Sequence, residues 1–446
     1  HDAQQRLNSN VDILDAYAYW NSEVADMPFS LRVGNMVQNW GESLFIRNGI
    51  NQFVSLDVAS IRQAGSEVKE ALQPMPMVYG SLGVTGLLTL EGFWQFGHSF
   101  TEPDPAGSFF QVDDLIGPGA LPLILAGPDA PNGTALPPYP LAIYQTDDRN
   151  ESNPLSQFGL SARYYATWLN QGTDLGLYYV HYNSRSLFLN FYLQEDGTPY
   201  YRYFYPGNIN LFGASFNTSL AGSALSGEIS YIPDGPMGVN TADQLYQMPA
   251  YGGGLLTTLD GITNGEATTG VIESDLIQGQ LGTITQFNTS HPVVKAIDAD
   301  VMTLVVNPGF VWAPNAGDGK PVNRSGAERG GYYTATATGL VETGTVYADQ
   351  FSWGYRLSLS ANYNNVLNTP WTLTPSIAWS HDVMGNSPNT ITAGFQENTK
   401  QYTLGLEGDY RNLWKVNLSF TSYLGNPDRN QNLDKDFVAF SVSRAF

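Results

Sequence analysis

The stretch Leu413-Trp414-Lys415-Val416-Asn417-Leu418-Ser419-Phe420-Thr421 alternates apolar and polar residues without a fault from Trp414 onward. Trp414, Val416, Leu418 and Phe420 fall on one parity, and Lys415, Asn417, Ser419 and Thr421 on the other. Residues two apart share one face of a β-strand, so this segment is expected to be a strand with one greasy and one polar face. The pattern recurs upstream. Tyr355, Leu357, Leu359, Ala361 and Tyr363 alternate with Arg356, Ser358, Ser360 and Asn362. Trp371, Leu373, Ile377 and Trp379 alternate with Thr372, Thr374, Ser376 and Ser380, and Tyr402, Leu404 and Leu406 with Gln401, Thr403 and Glu407. In three of these strands an aromatic stands at or near both ends of the apolar row. That is the girdle expected where such a row crosses about 25 Å of hydrocarbon. A soluble sandwich alternates in the same way, but its polar face meets bulk water and usually carries Lys and Glu. Here that face carries mostly Ser, Thr, Asn and Gln.

Composition points the same way. Only 14% of the 446 residues are charged, against roughly a quarter in ordinary soluble domains. With 26 Tyr, 22 Phe, 9 Trp and 42% apolar content, the chain is too rich in buriable surface to be disordered. The absence of cysteine excludes a disulfide scaffold and thiolate metal sites. A net charge of −21 speaks against nucleic acid as a partner, since phosphate binding needs basic patches. No stretch approaches the roughly 18–20 apolar residues of a transmembrane helix; the run from Leu121 to Ala126 is far too short. No signal peptide opens the chain at His1, so a mature chain or a fragment is expected. The expected fold is all-β: a transmembrane antiparallel up-and-down β-barrel.

The same template applied along the chain gives about fifteen strands. They centre near Tyr17, Val33, Tyr79, Glu91, Arg163, Tyr178, Gly213, Ile229, Ile284, Leu304, Leu357, Ile377, Leu406, Leu418 and Phe440. Short connections fall near Val24, Thr85, Gln171, Ser219, Pro292, Asn365 and Arg411. Long ones run from Trp40 to Gln73, Ser99 to Pro154, Arg185 to Gly207, Pro233 to Asp275, Pro308 to Gly344, Gly385 to Glu397 and Gly425 to Lys435. Short periplasmic turns and long extracellular loops are the rule for bacterial barrels, and so is an even strand number. A final strand descending to the periplasm then implies at least one ascending strand before His1. The expectation is one barrel domain over residues 1–446, with about sixteen or more strands when complete. Residues 40–75 form a loop insert with a short helix in Leu56 to Leu72, where Val58 and Ile61 lie three apart and Val68 and Leu72 four apart. Ser66 with Glu67 behind it suits a helix start. This insert either caps the mouth or folds into the lumen.

Around the second strand, Leu31-Arg32-Val33-Gly34-Asn35-Met36-Val37-Gln38-Asn39-Trp40-Gly41-Glu42-Ser43 resembles the signature of one outer-membrane family. That family is labelled domain of unknown function thirteen-oh-two, and its mark is Trp40, Gly41, Glu42 and Ser43. Asp57 to Arg62, Gly65 to Glu70 and Leu90-Glu91-Gly92-Phe93-Trp94-Gln95 are similar to further family segments; Asn35 and Ala64 depart from its common residues. The resemblance is specific from Asp12 to Asp114 and general from there to Phe446. It implies further strands upstream, no catalytic residues, and a conduit for a hydrophobic or lipid-like solute. It also implies a soluble periplasmic partner and an inner-membrane resistance-nodulation-division exporter. Independently, Val438, Phe440, Val442 and Phe446 share one face of the last strand. They resemble the C-terminal signal read by the barrel assembly machinery, with Arg444 as a mild departure that can snorkel to the headgroups.

Chemistry-bearing constellations are sparse. His1, His98, His181, His291 and His381 make no metal-ligating pair on one element, and Gly317-Asp318-Gly319-Lys320 is followed by Pro321 and reads as a turn. His98-Ser99 at a strand end is the best local candidate for hydrolysis, but a rim histidine is more often a plain interfacial residue. No enzyme, cofactor or resident metal is expected. Asp428, Asp434 and Asp436, or Asp104, Asp113 and Asp114, hold calcium or are solvated acidic loops; divalent ions there would bridge to lipopolysaccharide and other outer-membrane lipids. With apolar rows facing lipid, Asp15, Arg32, Gln38, Glu91, Arg163, Arg356, Glu407 and Lys415 point inward, since a basic residue facing hydrocarbon costs about 2–4 kcal/mol near the midplane. These side chains either set the field that selects solutes or pair with one another and stiffen the wall. Tyr17, Tyr19, Phe93 and Tyr165 would share that face. The expected location is the outer membrane of a Gram-negative bacterium. The expected role is transport, either of a hydrophobic solute or, as a nonspecific porin, of small hydrophilic ones; a surface adhesion barrel acting through its loops is the other reading.

Overall fold

The computed structural model describes residues 14–47, 49–62, 71–111, 115–120, 122–124, 142–146, 150–251, 253–254, 259–317, 322, 333–336, 339–342, 347–388, 394–427, 430 and 432–445. The sequence pattern is realised as one sheet of fifteen strands in chain order, every neighbour antiparallel and every seam between sequence neighbours within the sheet. The strands are β1 (Ala16–Val24), β2 (Met27–Met36), β3 (Met75–Gly83), β4 (Leu88–Gln95), β5 (Gln157–Ala166), β6 (Thr173–Tyr182), β7 (Ile209–Leu220) and β8 (Ser223–Gly238). They continue as β9 (Val271–Asn288), β10 (Val301–Trp312), β11 (Phe351–Asn362), β12 (Trp371–Met384), β13 (Thr399–Tyr410), β14 (Trp414–Gly425) and β15 (Phe437–Arg444). Each of the fifteen expected centres falls on its own strand. This is the meander of an up-and-down barrel.

The outer face carries the apolar parity. Leu177, Phe212, Ile229, Leu281, Leu359, Ile377, Leu404, Leu406, Leu418, Val438 and Phe440 are all exposed, Val438 to 67%. Water would not tolerate so wide an apolar surface on a monomer, whereas acyl chains solvate it. No helix among the described residues is long and apolar enough to cross a membrane, which is consistent with crossing by strands of 9–11 residues or more. β8 and β9 run to 16 and 18 residues and so extend past the membrane on one side.

Short connections lie at one end of the barrel, as at 25–26, 84–87, 167–172, 221–222 and 411–413. The turns use left-handed residues where tight reversals need them: Ala25 and Asp26, and Ala221 and Gly222, in two-residue turns, and Arg411 and Asn412 in a three-residue one, all have positive φ. At the other end the long loops are not extended arms. The hairpin Phe188–Leu193/Pro199–Tyr205, the helix Thr241–Gln247 and parts of the 95–157 loop bury Leu115, Ile143, Phe191, Tyr201, Leu245 and Met248 in a second core. The expected helical insert is reduced in the described residues to the short helix Val58–Arg62. Ser66 and the Gly65 to Glu70 segment lie outside the described residues, as do Asp113, Asp114, Asp428 and Phe446.

Candidate functional site: a segment folded into the barrel

The Trp40-Gly41-Glu42-Ser43 signature opens a segment, residues 37–56, that leaves β2 and runs inward across the barrel's inner face. Trp40 is its anchor. The indole is 1% exposed, and its Nε1 donates to Glu91 Oε2 at 2.7 Å. Phe93, Phe53 and Tyr178 surround it with ring centroids 4.9, 5.8 and 5.8 Å away. Buried aromatic pairs at 4.5–7 Å add to area burial, and Trp is buried at low cost only where its N–H finds an acceptor. Glu91 supplies that acceptor from β4.

Beyond Trp40 the segment offers backbone groups, and wall side chains receive them. The Glu42 N–H donates to Glu228 Oε2 at 2.7 Å. The Phe45 and Ile46 N–H groups both donate to Asn307 Oδ1 at 2.9 Å. Gln280 Nε2 donates to the Ile46 carbonyl at 3.0 Å and Gln278 Nε2 to the Arg47 carbonyl at 2.7 Å. Gln278 Oε1 in turn accepts from the Gly49 N–H at 3.1 Å. Gly41 and Gly49 have φ of +81° and +67°, and a Cβ on either would strike the Glu228 carboxylate. Glycine at these two points is therefore required twice over, by backbone conformation and by the close approach of Glu228. Irregular backbone at membrane depth persists only where protein satisfies it; β8, β9 and β10 do so here with Glu228, Gln278, Gln280 and Asn307.

The far end of the segment is pinned by Arg185, just past β6. Its guanidinium is buried and donates to the Phe53 carbonyl at 2.6 Å, Gln157 Oε1 at 2.7 Å and Gln95 Oε1 at 2.6 Å. Burial pushes this guanidinium down to about 9, which still leaves it cationic at neutral pH. Three acceptors in a planar fork suit arginine and not lysine.

The residues expected to line the interior distribute as follows. Glu91 holds Trp40. Arg163 sits 3.5 Å from Glu42 Oε1 and 3.3 Å from Asp174 Oδ2. Arg356 lies 2.7 Å from Asp382 Oδ1 on the neighbouring strand. Arg32 stacks its guanidinium over Tyr17 and Tyr79, 5.7 and 5.5 Å from the ring centroids. Glu407 is placed across from Thr374 and Asn417, and Lys415 across from Asp409 and Ser443. Asp15 precedes β1 and its Oδ1 accepts from the Val37 N–H at 3.2 Å, while Gln38 lies past the end of β2, at the start of the inward segment. Ser43 lies within that segment, partly buried. On the last strand Val438, Phe440 and Val442 are exposed on the outer face, and Arg444 covers the Trp414 ring at 5.2 Å.

Candidate chemistry elsewhere is absorbed by packing. The Ser99 hydroxyl is hydrogen-bonded to that of Ser55, and His98 stacks on Phe100. Asp436 accepts from Ser422 Oγ and the Tyr423 N–H. Among the described residues no group of three or more His, Asp and Glu is placed to hold a metal ion. Glu228, Gln278, Gln280, Asn307 and Arg185 were not singled out by sequence. Glu228 breaks an otherwise small, uncharged inner row with Ser226 and Ser230, and Asn307-Pro308 interrupts a strand; those were the available signals.

Fold and site together define a membrane barrel with a segment of its own chain lodged inside. The chain belongs to the family described as Protein of unknown function (DUF1302), whose model matches residues 1–446. No match exists among curated proteins. Among solved structures, the chain is similar to Pseudomonas aeruginosa OpdK with vanillate, at 11% identity over 93% of this chain and 74% of that one, TM-score 0.36. It is also similar to a Rh. blastica porin mutant, at 11% identity over 95% and 86%, TM-score 0.31. A third is Pseudomonas aeruginosa OccK9 (OpdG), at 10% identity over 93% and 71%, TM-score 0.33.

Proposed function

We propose that this protein is an outer-membrane channel, with its loops at the cell surface, that conducts a hydrophobic or lipid-like solute. The observation that carries the reading is the apolar surface of the inward segment: Trp40, Phe53, Phe93 and Tyr178 pack it onto the inner face, and its Leu44 and Phe45 stay 37% and 48% exposed. A water-filled pore gains nothing from leaving Leu44 and Phe45 exposed inside it, whereas a route for an apolar solute needs an apolar surface to travel along. A soluble periplasmic protein and an inner-membrane exporter complete this reading, since an apolar solute must be handed across an aqueous space. Proteoliposome uptake tests it: a pyrene-labelled fatty acid should enter, and a labelled disaccharide should enter at least about tenfold more slowly. Equal entry of both, with large ohmic conductance in planar bilayers, would sink it.

A second reading, a porin for small hydrophilic solutes, is favoured by one arrangement. Arg163 between Glu42 and Asp174, and Arg356 beside Asp382, place both signs of charge on the inner face, and such fields select ions and polar solutes.

A further inference from the structure

The seam between β9 and β10 is closed in an unusual way. Its pairing runs from Ile277↔Trp312 to Gln280↔Gly309 and resumes at Thr283↔Val306, so Leu281 and Gly282 have no ladder partner in Asn307 and Pro308. Pro308 has no N–H to donate, and proline inside a sheet is normally confined to edges and bulges. Asn307 fills the gap: its Nδ2 donates to the Leu281 carbonyl at 2.7 Å, while its Oδ1 accepts the Phe45 and Ile46 N–H groups. One buried side chain therefore ties the wall to itself and to the inward segment.

The outer face of this seam is apolar, while on the inner face Gln280 and Asn307 are bonded to the inward segment and its Leu44 and Ile46 cover the two glycines. Outside, at membrane depth, Leu281, Pro308, Gly279 and Phe310 line an open groove of about 620 Å³ that reaches Gly227 on β8 and Ala214 on β7. That is within the range of cavities that hold small organic ligands. Inside, Leu44 lies on Gly282 and Ile46 on Gly309. A Cβ at Gly282 would come within 2.5 Å of Leu44 Cδ1, and one at Gly309 within 2.8 Å of Ile46 Cδ1. Between the outer groove and this inner apolar cover lies the strand backbone, and over two residues on each strand no ladder pair joins β9 to β10.

We propose that the β9–β10 seam is a lateral doorway for a single hydrocarbon chain of the transported solute, with Leu44 and Ile46 as its inner cover and Asn307 as its latch. The proposal rests on the conduit reading and adds the route. Opening here breaks no ladder bond across the unpaired residues, and the latch contacts are neutral hydrogen bonds that reform on closing. A groove serving resident bilayer lipid alone would need an apolar outer side only; the apolar inner cover continues the path into the barrel.

The chain contains no cysteine, so Leu44→Cys combined with Gly282→Cys creates a single cross-link between cover and wall. In proteoliposomes the oxidised double variant should pass pyrene-labelled dodecanoate at least about tenfold more slowly than its dithiothreitol-reduced form. Ala214→Trp, which fills the outer groove without touching the inward segment, should slow the same probe comparably. Equal rates in the oxidised and reduced forms, together with a wild-type rate in Ala214→Trp, overturn the doorway while leaving the conduit intact. Failure of the wild-type protein to pass the probe at all overturns both. A bimane label on Leu281→Cys gives an independent reading. Displacement of brominated phospholipid from it by the dodecanoate supports the doorway, and quenching that the dodecanoate does not alter overturns it in favour of resident lipid.

Discussion

On β8 to β10 the inner face spends its polar side chains on backbone: Glu228, Gln278, Gln280 and Asn307 each bond main-chain groups of residues 42–49. On β13 and β14 the same face carries side chains that look at each other or at the lumen, such as Thr403 bonded to Thr421 at 2.9 Å, with Glu407 and Lys415 nearby. Both halves are polar inside, and both would be scored alike by residue type. The difference is one of commitment. Polar groups satisfied by a folded segment fix a shape, whereas polar groups left to solvent set a field. Substitutions should accordingly change gating and stability in the first half and selectivity in the second.

The largest effect is expected at Trp40. Trp40→Ala removes the aromatic anchor and strands the Glu91 carboxylate, costing about 3–5 kcal/mol of segment stability. Its expected outcome is cleavage by protease within residues 37–56 and a larger single-channel conductance. Wild-type resistance to cleavage would show that the segment is held without its anchor. Glu228→Ala should follow at about 1–3 kcal/mol, because it leaves the half-buried Glu42 N–H without its acceptor. Maleimide labelling of a Ser43→Cys reporter should then quicken, and an unchanged labelling rate would break the idea that the wall pins the segment. Third, Arg356→Glu with Arg32→Glu should move the reversal potential toward cation selectivity with little change in cleavage pattern. Identical selectivity would remove both residues from the solute path.

The smallest effect concerns the cap. Asp196 and Glu266 are held below the usual carboxylate range by hydrogen bonds from Thr198 and Thr263. A depressed folded value contributes stability present above the unfolded value and lost as pH falls through the folded one. The protection factors of the Thr198 and Thr263 amides, corrected for intrinsic exchange, should therefore fall as the medium is acidified below the ordinary carboxylate range, and stay flat above it.

How much of this was legible in sequence divides along the same line. Every strand of the fifteen-stranded sheet was readable because hydrocarbon on one side and a lumen on the other impose a two-residue period, and that period survives in rows such as Trp414 to Phe420. The inward course of residues 37–56 was open, cap or lumen, because nothing local decides it: Trp40 finds Glu91 across 51 positions, and Phe45 finds Asn307 across 262. Glu228 looked like one more polar residue on an inner row; only the positive φ of Gly41 and Gly49 beside it reveals what it receives. The packed cap escaped notice for a related reason. Phe191, Tyr201 and Leu245 come from two loops whose apolar residues have no common period, so their meeting is a tertiary event.

The long reach of the inward segment bears on how the barrel is built. Residues 42–49 leave the exit of synthesis and translocation ahead of every strand that satisfies them, and wall partners of their main-chain groups lie 184 to 262 positions downstream. Contacts of such sequence separation form late, since the intervening chain must be ordered first. Trp40 finds Glu91 and Tyr178 on β4 and β6, but until β8 to β10 are laid down Leu44 and Ile46 remain an apolar stretch without its wall. Seating this segment therefore waits for β8 to β10.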